Sequence, residues 1–149
     1  MNIPDSNYKV ITKWIETTLK TMSFIEGVAI YDSNYYITPS TKLPAIAINR
    51  DDLNSGLEKC SDGSITVSTI VDITLHIPIT EKDILDPILT YFEEQAMKTL
   101  INGYLFGNPP NHLKEFNFVG STITSLFLKN TGEQFSNMSV VRFAIEYSI

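Results

Sequence analysis

The chain has 149 residues, with 11 basic against 17 acidic side chains and a formal charge of −6. That is the length of one domain, long enough to bury about two-thirds of its unfolded surface without a metal or disulfides. Wholesale disorder is excluded by the 43% hydrophobic content, and a disulfide scaffold by the presence of a single cysteine, Cys60. No stretch approaches about 18 uninterrupted apolar residues, so no membrane-spanning helix is expected.

The opening MNIPDSNYKV has no basic start followed by an apolar run, so no secretory leader is read there. The expected setting is a cytoplasm, or an object assembled in one. Arg50 and Arg142 are the two arginines. This balance argues against a protein that grips nucleic-acid phosphates. It is compatible with one that DNA slides past.

In chain order, the spacing predicts a first helix over Ser6–Met22. Val10, Ile11, Trp14, Ile15, Leu19 and Met22 form its apolar stripe, and Lys9, Thr12, Lys13, Glu16, Thr17 and Lys20 its polar face. A short strand follows at Val28–Tyr31. Next comes a polar, aromatic loop, Asp32–Lys42, and then a second strand, Pro44–Ile48. Asn49–Gly63 reads as a long polar connection, a kind of segment that is often functional.

The third strand, Ile65–Ile79, carries the strongest signal. Seven of the eight odd positions are apolar, Thr69 being the exception, whereas Thr66, Ser68, Asp72, Thr74 and His76 fall on even ones beside the single large aliphatic Ile70. The pattern predicts one buried and one wet face. A second helix is expected to start near Asp86-Pro87 and stop at Asn102-Gly103. Two strands close the chain, Glu115–Leu128 with a bulge near Gly120, and Met138–Ile149, joined by a turn over Lys129–Glu133.

The order α-β-β-β-α-β-β, without repeats or linkers, implies a single α+β domain spanning 1–149. Its fold is expected to be a mainly antiparallel sheet of about five strands, with two helices packed on one face. The other face stays polar or meets a partner.

No catalytic constellation emerges. Asp72 and His76 share a strand face, but four residues of extended chain separate their Cα atoms by about 13 Å. No third ligand at a metal-binding spacing accompanies them. Asp51, Asp52, Glu58 and Asp62 do not follow the calcium-loop pattern. Cys60 lies in no recognised nucleophile signature. No enzymatic activity, metal or cofactor is expected. Tyr31, Tyr35 and Tyr36 are aromatics in a polar setting, a composition found at interfaces.

The architecture as a whole, and Leu43-Pro44-Ala45-Ile46-Ala47-Ile48 and Ile65–Ile79 in particular, resembles the tail terminator proteins of tailed bacteriophages. The likeness extends to tube-capping proteins of contractile injection systems. It implies a structural virion protein of the tail or neck, assembled in the host cytoplasm. Such a protein forms a homo-oligomeric ring, a hexamer, that caps the head-proximal end of the tail tube and ends its polymerisation.

The implied partners are further copies of the chain, the tail tube protein, a neck or head–tail connector protein, and the sheath where a tail has one. DNA passes through the lumen without specific binding, and no membrane is involved. The family brings no catalytic residues. Candidate interface residues are Tyr31, Tyr35, Tyr36, Arg50, Asp51, Asp52, Leu57, Asp72 and His76. The alternatives are a head-completion or neck connector protein and a small-ligand-binding or enzymatic α+β domain.

Overall fold

The computed structural model describes residues 1–32, 36–59, 62–78, 82–127, 132 and 134–149, without the side chains of 52–55, 59, 82–86, 126, 127 and 135. Its elements are α1 (Asn7–Leu19), β1 (Ala29–Tyr31), β2 (Ala45–Lys59), β3 (Ile65–Ile77), α2 (Lys82–Phe106), β4 (Leu113–Phe127) and β5 (Gln134–Ser148), with a short 3-10 turn at Ser23–Ile25. The order is the one expected from the sequence. The strands form one sheet in the order β1-β2-β3-β5-β4. Only β1 and β2 run parallel; the other neighbours are antiparallel.

Helix α1 begins where the hydroxyl of Ser6 accepts a bond from the Lys9 amide at 3.1 Å, the usual N-cap arrangement. It buries Ile11, Ile15 and Leu19. Thr12 is fully buried as well, although periodicity placed it on the polar face. Its hydroxyl is satisfied by the Lys9 carbonyl at 3.0 Å. Val10, expected in the stripe, is exposed. The start of the helix is tied to the far end of the sheet, because the Asn7 side chain donates to the Ser148 carbonyl at 2.8 Å.

Helix α1 ends at Leu19 and not Met22, and β5 starts at Gln134 and not Met138; the larger departures from the sequence reading are in β2 and α2. Asn49–Lys59 is not a loop: it continues β2, a 15-residue strand paired with β3 on both sides of an irregularity between Asp51 and Gly56. Polar residues on both faces hid a strand that its partner holds in place. Helix α2 starts at Lys82 and carries Pro87 inside it, where the missing N–H removes one bond of the helical ladder.

Nor does α2 stop at Gly103. A Cβ there would lie 2.8 Å from the Thr18 methyl, so this glycine marks a close approach of the two helices. Termination waits for Gly107, whose amide reaches the Gly103 carbonyl at 3.0 Å, and the prolines after it.

The expected bulge in β4 is present as a register shift between Phe118 and Gly120. Leu128 and all but Gly132 of the turn assigned to Lys129–Glu133 lie outside the described residues, as do Cys60 and Ile79.

The core sits between the helices and one sheet face. Ile46 and Ile48 of β2, Val71, Ile73 and Leu75 of β3, and Val141, Phe143 and Ile145 of β5 meet Ile11, Ile15, Leu89, Phe92 and Leu100 from the helices. Phe116 stacks on Phe143 at 4.3 Å between centroids, and Trp14 meets the same Phe116 edge-on at 5.3 Å. Both helices therefore lie on one face, as expected from their one-sided stripes.

Candidate interface on the open sheet face

The face opposite the helices follows from register. Asn49 of β2 lies across from Asp72, and Asp72 across from Arg142. Arg142 in turn faces Gly120. The Arg142 Nε donates to the Asp72 Oδ1 at 3.0 Å. Burial raises the Asp72 pKa above its ordinary value, and the nearby Asp51 adds to this. The Arg142 guanidinium opposes both. Four residues away along both strands, Ser68 donates to Glu146 at 3.2 Å.

Toward the other end of β3 this face is not wet. Thr74 and His76 are both buried, contrary to the solvated face that alternation predicts. Ala45 and Met138 lie directly across from His76 on the two flanking strands, and Ala47 and Val140 across from Thr74, so apolar neighbours flank this end of the strand where Asn49 and Arg142 flank Asp72. His76 Nε2 lies 2.9 Å from the Thr74 hydroxyl, which is 3.4 Å from the Ala47 carbonyl. The assignment that leaves no orphan donor has Nε2–H donating to Thr74 and Thr74 donating to Ala47. His76 Nδ1 is buried without a partner. Desolvation lowers the His76 pKa to about 4, so the ring is neutral at pH 7.

The candidate residues divide between the faces. Tyr31 lies across from Ala47 and Asp51 across from Ile70, so both share the open face with Asp72 and His76. Arg50 and Leu57 pair with Val71 and Val67, which places them on the helix-bearing face. Arg50 there covers the ring of Tyr8 at 5.4 Å and belongs to the α1 packing. Tyr36 is largely exposed in the loop after β1. Asp52 belongs to β2 with its side chain outside the description, and Tyr35 lies outside the described residues.

Sequence reasoning put Asp72 and Arg142 on polar faces of their strands but missed their pairing, because period-two alternation fixes a face and not a register. It also missed the charge of the assembled face. Asp51, Glu58, Asp72, Glu115 and Glu146 all fall on it by register, with Arg142 as the opposing base.

A hollow lies elsewhere among the described residues. A cleft of about 580 Å³ runs along the seam of α1 and α2, lined by Trp14, Thr17, Thr18, Thr99, Gly103 and Phe106 among others. Its lining residues carry no titratable side chain. Among the described residues no group of three His, Cys, Asp or Glu side chains is placed to hold a metal. Asp62 is engaged locally, where its carboxylate accepts from the Ser64 amide at 2.9 Å and hydroxyl at 2.7 Å. No helix among the described residues is long and apolar enough to cross a membrane.

No protein-family model matches the chain, and no curated protein matches it.

Proposed function

We propose that this chain is a structural ring protein of a phage-type tail, resembling tail terminators. Copies of it cap the head-proximal end of a tail tube and present a surface to the neck. The observation that carries this reading is a sheet of long strands covered by helices on one face only. The strands run 13 to 15 residues apart from the short β1, against about five or six in a typical sheet. The uncovered face is acidic and offers no convergent catalytic group among the described residues. Such a slab suits a wall shared between copies better than a pocket.

In this reading the acidic face turns toward the DNA passage and the helices turn outward. The same slab would also serve a head-completion or neck connector, which differs in the object it binds.

Native mass in solution, with and without purified tail tubes, tests the proposal. The expected result is a species of six times the 16.8 kDa chain mass, or a ring at one tube end in electron micrographs. A ring that binds portals and ignores tubes assigns the chain to the neck. A strict monomer or dimer that ignores both overturns the ring reading.

A further inference from the structure

The sheet ends in two edges that no further strand covers among the described residues. On β4 the stretch 116–127 reads Phe-Asn-Phe-Val-Gly-Ser-Thr-Ile-Thr-Ser-Leu-Phe, with no charge and no proline. Natural edges are normally blunted by charge, proline, bulges, shortness or a cover; of these β4 has its register shifts. Phe118, Val119 and Ile123 on this edge strand are 37%, 52% and 40% exposed. At the other edge β1 pairs only with Ala45–Ala47 of β2. Among the described residues no strand flanks β2 on that side from Ile48 to Lys59. Leu57 on this open run is 75% exposed.

The two edges match in face and in direction. Leu57 lies across from Val67, Phe118 across from Phe143 and Ile123 across from Ser139, so all three stand on the helix-bearing face. The β2–β3, β3–β5 and β5–β4 pairs are each antiparallel, so β4 runs opposite to β2. A second copy placed beside the first, with the same face up, therefore sets its β2 antiparallel to β4. The neutral β4 also receives the charged run of Arg50, Asp51, Asp52 and Glu58 without placing like charges opposite each other.

We infer that the open edge of β4 pairs with β2 residues 48–59 of a second copy of this chain. The sheet then continues from subunit to subunit, and Leu57 is brought to the apolar side chains of β4. Each copy uses two different edges, so the contact is heterologous and closes only by rotation. Closure into a ring rests on the function proposed above; the pairing rests on the two edges.

Two edge-blocked variants test this. Val119→Lys/Ile123→Lys charges the β4 edge and Leu57→Lys the β2 edge, all at exposed positions. At millimolar concentration the wild-type chain is expected to associate and each variant to stay monomeric. An equimolar mixture of the two is expected to form a dimer and nothing larger, because one intact β4 edge meets one intact β2 edge. Recovery on mixing also shows that both variants are folded. In wild-type assemblies, amide exchange at 116–127 and 48–58 is expected to slow relative to dilute monomer.

Self-association of Leu57→Lys alone would mean β4-to-β4 pairing and overturns the inference. So do a wild-type chain that stays monomeric, a mixture that stays monomeric, and unchanged exchange on both edges. Open fibres with protected edges would uphold the pairing and overturn the ring. Closed rings formed by both variants would uphold the ring and overturn the pairing.

Discussion

His76 shows how a residue can be polar in sequence and still serve the core. Its ring is buried in the central strand with one nitrogen satisfied by Thr74 and the other unpartnered. Protonation of such a ring is disfavoured, which is why its pKa falls to about 4 in the folded chain, against about 6.5 when unfolded. Between these values the unfolded chain binds the proton and the folded chain does not, so stability falls as pH drops through that window. At about 1.4 kcal/mol for each pH unit the full loss is about 3 kcal/mol, with none above neutrality. Urea midpoints at pH 7.5 and pH 4.5 should show it, and His76→Leu should remove most of the difference. Asp72, whose pKa is raised by burial, acts in the opposite sense near the carboxylate range. The comparison with His76→Leu separates the two. An unchanged pH dependence in that variant would mean that His76 is solvated.

At the scale of elements, the α1–α2 contact hinges on Gly103. A methyl group there meets the Thr18 methyl at 2.8 Å. Thr18 cannot swing away freely, because its hydroxyl donates to the Trp14 carbonyl at 2.7 Å and its β-branched side chain is stiff. Gly103→Ala should therefore lose about 1–3 kcal/mol to overpacking, offset by about 1 kcal/mol of helix propensity. In a Thr18→Ala background the steric loss should vanish and the substitution should stabilise. Thermal unfolding of the four chains of this cycle gives the coupling directly; additive effects would mean that the helices do not touch there. Gly103 also shows where sequence reading fails. Asn-Gly looks like a helix stop, and only the crossing helix explains a glycine inside α2. Helix α1, β3 and β5 were legible because their apolar periods face one core. The second half of β2 was not, since its residues alternate nothing and owe their extension to pairing with β3. The candidate interface was legible in part: Asp72 and His76 were placed on one face, but the burial of His76 and the Asp72–Arg142 pair depend on neighbours that the sequence does not align.

For the whole molecule, the distribution of charge on the sheet decides which way the proposed ring would face DNA. Asp51, Glu58, Asp72, Glu115 and Glu146 share the open face by register, and Arg142 pairs with Asp72 there. Glu115 and Glu146 stand directly across from each other, an arrangement that lowers stability in a lone sheet. That placement gains a purpose if the face lines a passage, where fixed negative charge keeps phosphates from settling on the wall. A cyclic assembly repeats every such charge around the axis, so the effect grows with the number of copies. The converse follows from counterion release: positive charge on the same face should create salt-dependent affinity for duplex DNA. Assembled protein carrying Asp51→Lys and Glu146→Lys should bind duplex DNA at low salt, with affinity falling as a power of salt concentration. The wild-type assembly should show no binding under the same conditions. Filter binding across a salt series measures both. A doubly substituted assembly that binds no better than the wild type would place the open face away from the DNA path, and the helices would then be the inner wall.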